Sequence, residues 1–261
     1  MQHKSDKRRL NTRSNYGFTL IELLVVISIL SLVIAILLPV LNKARRVSKR
    51  LKCQSNLRQI ASAWGMYLDD NDGKFYQRIN ANTLYGGWKG IYFPNHRRPL
   101  NEYLRLDDLP QSEKDARIFF CPCDNDGTGK PVYSSVGTSY QTNILLIGQD
   151  QIGMLPSDIL KDAINAKLKN LNISQVANPS NTLLIGDYAW QTQWLPSPYP
   201  FGMPWHSRCC HFNMAFLDSH IEFIKIHKGI FYTEEYRVIP FKDLYGLAVQ
   251  EQVKEPCPKC D

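Results

Sequence analysis

The chain has 261 residues, of which 44% are hydrophobic and 21% charged, and a formal net charge of +7. That composition suits an ordered domain with an appendage and excludes a disordered tail. A mean hydropathy of −0.30 argues against a membrane protein and the basicity for a nucleic-acid partner, yet both are averages over unequal parts. Residues 1–68 hold 12 Lys/Arg against Asp6 and Glu22, whereas residues 69–261 hold 19 against 22 acidic residues. A phosphate-binding protein needs its cations on the folded surface that meets the nucleic acid. Here they flank an apolar stretch, so no nucleic-acid partner is expected.

From Phe18 to Val40 the sequence reads FTLIELLVVISILSLVIAILLPV, with Glu22 as its one charge. As a helix, Phe18 to Leu38 would extend ~31 Å, enough for the roughly 30 Å hydrocarbon core of a bilayer. A cleaved secretory signal would have a shorter apolar region and a small-residue cleavage site, neither of which is present. Cations lie on both flanks, so the positive-inside rule leaves the orientation open. Glu22 is the oddity: a carboxylate in hydrocarbon costs about 2.5–3.5 kcal/mol and is seldom retained without a partner. Near one end of the stretch, it can also snorkel to the interface.

The string Gly17-Phe18-Thr19-Leu20-Ile21-Glu22, after a short basic leader and before the apolar run, resembles the prepilin signal of type IV pilins and of the pseudopilins of type II secretion. The resemblance implies that a prepilin peptidase cuts after Gly17 and methylates the new amino terminus at Phe18. It also makes Glu22 the fifth residue of the cut chain, where the family has its glutamate, and matches Pro39 to a proline common in these helices. The amine created at Phe18 gives Glu22 a partner, in its own chain or a neighbour. The pair can set subunit register, since a paired buried carboxylate costs much less than a lone one.

Beyond Pro39 the pattern turns amphipathic, with Leu41, Ala44, Val47, Leu51, Leu57, Ile60, Ala61, Trp64 and Leu68 at helical spacing. The helix is expected to run to about Tyr67 and to stop at Asp69-Asp-Asn-Asp-Gly73. Its cations can meet lipid phosphates or neighbouring subunits, or form a solvated face. Strands are expected at 118–120, 140–148, 182–187, 212–217, 220–226 and 236–239, the fourth and fifth joined as a hairpin by a two-residue turn, Asp218-Ser219. One helix is expected over 157–171, capped by Ser157. The fold class is α+β: a long N-terminal helix on an antiparallel sheet, pilin-like. The expected organisation is a cleaved leader (1–17), a membrane and assembly helix (18–40), its amphipathic continuation (41–70) and a globular head (71–261).

The segments around Cys53–Ile60, Tyr67–Phe75, Phe120–Pro122, Ser139–Asn143, Pro179–Asp187 and Asn213–His220 are similar, in order, to large pilin-like proteins of Planctomycetes, Verrucomicrobia and Lentisphaerae. Those often carry Asp-Gly-His in a C-terminal hairpin, where this chain has Asp218-Ser219-His220. Seven cysteines, none in the apolar stretch, favour disulfides if the body lies outside the cytoplasmic membrane. Cys53 with Cys121 is the preferred pair, because it would clamp the helix to the sheet, although connectivity does not follow from sequence. Cys257 and Cys260 suit a local disulfide better than a redox site, since no helix follows to lower a thiol pKa. A zinc site combining them with Cys209, Cys210 or His211 lacks a matching second half. Asp70, Asp72, Asp124 and Asp126 offer calcium ligands without the full loop spacing, so Asx turns are the default and no cofactor is expected. The aromatic, proline-rich stretch around Trp190–Trp205 is either a packed loop or a carbohydrate-stacking surface.

No catalytic motif is present, although His206, His211, His220, His227, Asp187 and Asp218 could converge in space. The expectation is a structural subunit rather than an enzyme. It would be a single-pass inner-membrane protein with its head in the periplasm or at the cell surface. Its partners would be the prepilin peptidase, other pilin or pseudopilin subunits and the cytoplasmic membrane. The alternative is a membrane-anchored polysaccharide-binding module or hydrolase.

Overall fold

A computed structural model describes residues 18–77, 81–124, 130–147, 157–168, 171–188, 190–193, 205–206 and 208–252. The chain divides into two compact units, one up to Arg45 and one from Arg46 onward. Helix α1, Leu20–Asp70, contributes to both. In the first unit its side chains from Leu20 to Leu41 are exposed all round, as an apolar surface meant for lipid or for other helices must be. Pro39 lies inside the helix and has no N–H to offer the carbonyl four residues back.

In the second unit α1 has one buried face: Cys53, Asn56, Leu57, Ile60, Ala61, Ala63, Trp64 and Leu68. Trp64 packs against Tyr67, Phe75 and Tyr85 at ring-centroid distances of 5.6, 6.3 and 5.9 Å. The helix ends three residues later than its pattern predicts. Asp72 and Gly73 turn left-handed, with φ of 53° and 74°, and the Gly73 N–H donates to the Leu68 carbonyl at 2.7 Å, which satisfies a terminal acceptor.

The sheet is antiparallel with strand order β1-β2-β3-β4. The strands are β1 Tyr140–Thr142, β2 Leu183–Asp187, β3 His211–Phe216 and β4 Ile221–Lys225. All of β1 and β2 and nearly all of β3 are buried, so these strands are covered on both faces, while β4 is a half-exposed edge. Beyond α1, the described residues hold five short helices: α2 Ala81–Leu84, α3 Val132–Val136, α4 Ile144–Ile147, α5 Asp158–Leu168 and α6 Tyr245–Glu251.

Several expectations need correction. Residues 118–120 form no strand; Arg117–Phe119 is a 3₁₀ turn. The expected strand over 140–148 stops at Thr142, because Asn143 turns the chain. Its Oδ1 accepts from Leu145 N–H at 3.0 Å to cap α4, and its Nδ2 donates to the Leu183 and Val238 carbonyls at 2.9 and 2.7 Å. Residues 236–239 make only isolated bridges. The α5 helix starts on its Ser157 cap, with Leu160 N–H donating to Oγ at 3.3 Å, but ends at Leu168. The hairpin turn is longer than two residues: Ser219 N–H donates to the Phe216 carbonyl at 2.9 Å and Ser219 sits at φ 71°, a type I turn with a left-handed third residue.

A buried cation organises the loops between α1 and β1. Arg98 has no exposed surface and donates to the carbonyls of Thr83, Lys89 and Val136 at 2.6, 3.1 and 2.9 Å. Burial lowers its pKa to about 10, which leaves it charged at neutral pH. Gly87 and Gly137, both left-handed, approach backbone to backbone beneath it, and a Cβ on Gly87 would lie 2.0 Å from the Gly137 carbonyl oxygen.

Candidate functional site

The first candidate is the start of α1. Gly17 lies outside the described residues, and Phe18 is 70% exposed. Thr19 caps the helix: its Oγ1 accepts from Glu22 N–H at 3.3 Å, while Glu22 Oε2 accepts from Thr19 N–H at 2.9 Å and from Thr19 Oγ1–H at 2.7 Å. This is a reciprocal capping box, which satisfies two terminal N–H groups and draws a carboxylate to the positive end of the helix dipole. Its signature, Thr-x-x-Glu before an apolar run, is legible in the sequence but is easily overlooked beside the prepilin resemblance. Glu22 thus has donors within its own chain before any neighbour arrives.

The second candidate lies in the head. Cys53 of α1 and Cys121 are joined in a buried disulfide with a Cα–Cα distance of 5.0 Å, the pair preferred from sequence. It ties the helix to the loop before β1, and two hydrogen bonds run parallel to it: Asn56 Nδ2 donates to the Phe120 carbonyl at 2.9 Å and to Tyr140 Oη at 3.3 Å. Next to the disulfide, His206 Nε2 lies 2.9 Å from Asp187 Oδ2, with both side chains only 1% exposed. Asn213 completes the pair by donating to the same oxygen from its backbone N–H at 2.7 Å and from Nδ2 at 3.0 Å. Burial opposes a charge on His206, but the charge and hydrogen bond of Asp187, with a smaller contribution from Cys123, outweigh it and push the imidazole up to about 9. At neutral pH the pair is a buried imidazolium–carboxylate.

The segments Cys53–Ile60, Phe120–Pro122, Ser139–Asn143, Pro179–Asp187 and Asn213–His220 therefore meet around one disulfide. Of the six residues that could have converged, Asp187 and His206 meet beside the disulfide. His220 Nδ1 pairs instead with Asp218 at 2.6 Å at the tip of the β3–β4 hairpin, and His211 Nδ1 lies 2.8 Å from the Cys209 carbonyl oxygen. The buried His–Asp pair could not be read from sequence, because its partners lie in separate segments with no characteristic spacing.

Among the described residues one group of three metal-ligating side chains has its donor atoms within 4.8 Å of one another: Cys53, Cys121 and His206. The disulfide occupies both sulfurs. Cys210 is also disulfide-bonded, which takes it out of the zinc set considered from sequence, and Cys257 and Cys260 lie outside the described residues. Of the calcium candidates, Asp124 is consumed by the fold. Its Oδ1 accepts from Val132 N–H, and its Oδ2 from Tyr133 N–H and Ser139 Oγ–H, at 2.8, 2.8 and 2.6 Å. Asp70 is hydrogen-bonded to Tyr103, the exposed Asp72 lies 3.8 Å from Lys74, and Asp126 is outside the described residues.

Residues 12–38 match the prokaryotic N-terminal methylation motif. No curated protein and no solved structure matches the chain. The motif supports a type IV pilin- or pseudopilin-like protein, and the long apolar helix and four-stranded antiparallel sheet are consistent with that fold. Among the described residues, α1 is the one helix long and apolar enough to cross a membrane, which together with the motif supports a single-pass membrane anchor. The motif is that of precursors processed by prepilin peptidase and assembled as subunits, a structural class.

Proposed function

We propose that the chain is a structural subunit of a type II secretion pseudopilus or of a type IV pilus-like fibre. Prepilin peptidase cuts it after Gly17 and methylates Phe18, and the exposed apolar half of α1 then packs among the same helices of neighbouring subunits, with the head in the periplasm or at the cell surface. The observation that carries this reading is the methylation motif placed directly on a helix whose apolar residues are exposed among the described residues. The similarity to large planctomycete and verrucomicrobial pilin-like proteins supports placement among them. Mass spectrometry of the protein from its native membranes tests it: the expected N-terminus is methylated Phe18. An intact Met1 terminus would overturn it in favour of a membrane-anchored polysaccharide-binding module or hydrolase.

A further inference from the structure

Six cations crowd ten residues of α1 directly after its apolar stretch: Lys43, Arg45, Arg46, Lys49, Arg50 and Lys52. No Asp or Glu lies between Glu22 and Asp69. All but the half-buried Arg50 are exposed, and Arg50 holds its guanidinium 4.6 Å from the Phe223 ring centroid. Among the described residues none of the six has a carboxylate partner; the ion pairs there use Lys74, Arg97, Lys161, Lys167, His206 and His220. At about 100° and 1.5 Å per residue, the six occupy one half of the helix circumference over about 14 Å of its length. Ala44, Val47, Ser48 and Leu51 occupy the other half.

Side chains on a helix lean toward its N-terminus, here toward the apolar stretch, and Lys and Arg stems lie along apolar surface while their charges reach polar surroundings. Lys43 follows Leu41 by about 3 Å of helix rise and Lys49 by about 12 Å. The headgroup layer is roughly 5–8 Å deep on each side of the hydrocarbon core, so cations at this spacing reach back into it. With the head outside the cytoplasmic membrane, as proposed above, the positive-inside preference opposes these charges, a cost that bound anions offset. We propose that this half of α1 binds the phosphate headgroups of anionic phospholipids in the outer leaflet of the cytoplasmic membrane. The attraction of a juxtamembrane cluster to an anionic surface grows with each cation. A second copy of the chain fits less well, because its α1 presents the same cations and its residues 69–261 hold 22 acidic residues against 19 Lys/Arg, too slight an excess to neutralise them. The choice of leaflet rests on the orientation proposed above; the lipid contact itself needs only that α1 lies in a membrane and does not depend on cleavage at Gly17.

The test uses the full-length chain in mixed micelles of a neutral detergent with equal amounts of phosphatidylglycerol and phosphatidylcholine of the same acyl chains. The protein is recovered by an affinity tag and its bound lipids are counted by mass spectrometry. The wild type should retain phosphatidylglycerol at least threefold over phosphatidylcholine at about 0.05 M salt and lose most of that preference at about 0.5 M. The variant Lys43→Gln/Arg45→Gln/Arg46→Gln/Lys49→Gln/Lys52→Gln should lose at least half of the preference, the remainder being due to the cations of residues 1–17, which both proteins share. The variant Lys43→Arg/Lys49→Arg/Lys52→Arg should keep it, and an unchanged thermal midpoint of the head checks that both variants fold. No preference in the wild type, an equal preference in the Gln variant, or its loss in the Arg variant overturns the proposal. Abolition of the preference by inorganic phosphate at matched ionic strength would make this a site for free phosphate and overturn the lipid assignment. Salt-sensitive self-association that the Gln variant loses, without a lipid preference, would assign the face to a second copy instead.

Discussion

A carboxylate and an imidazole that are each 1% exposed have no water to share their charge with, so each depends on the other. Because the folded pKa of His206, about 9, lies above the ordinary value of ~6.5, the pair's contribution to stability is complete below that ordinary value and is lost as pH rises through the folded one. We expect the head to lose up to about 3 kcal/mol between neutral and strongly alkaline pH from this group. The thermal midpoint of the wild type should fall over that range, while that of His206→Gln changes less. Ser219 is a residue-scale strain of a different kind, an L-residue at φ 71°, a left-handed conformation that glycine adopts without cost. Ser219→Gly should stabilise by about 0.5–1 kcal/mol, read as a small rise in the denaturant midpoint at constant slope.

Among the elements, α1 is the best defined by sequence and the short helices the least. Helical spacing persists from the membrane segment to Leu68, and a long amphipathic pattern is a strong signal. The segments 118–120 and 140–148 look like strands because they are short and apolar, a pattern shared by any fully buried piece of chain. Tertiary hydrogen bonds through Asn143 and Ser139 settle the outcome. The disulfide acts at the same scale, joining residues 68 apart. Closing a loop of that length in the unfolded chain is worth roughly 4 kcal/mol. The Cys53→Ala/Cys121→Ala double variant should therefore unfold at markedly lower denaturant, with the free Cys123 thiol unable to replace the bond.

For the whole molecule, charge and hydropathy describe two different objects. The cations cluster in residues 1–68 and the acidic excess lies in residues 69–261, so we expect the basicity to serve insertion and assembly. Glu22 sits at the junction of local and collective roles, since its capping box serves one helix and its charge can serve a neighbour. Glu22→Gln keeps a capping side chain and removes the charge, whereas Glu22→Ala removes both. Both variants should insert and be cut, and neither should enter fibres, as judged by immunoblots of sheared filaments. Normal incorporation of the Gln variant would confine Glu22 to capping. By itself the sequence determined the membrane helix, its processing signal, the α+β class and the preferred disulfide, because each rests on a local pattern or a short recognisable string. Only the tertiary structure decided that Asp187, His206 and Asn213 meet beside that disulfide and that Arg98 is a buried cation. Those contacts depend on which distant segments the sheet and helix bring together, and no spacing along the chain encodes them.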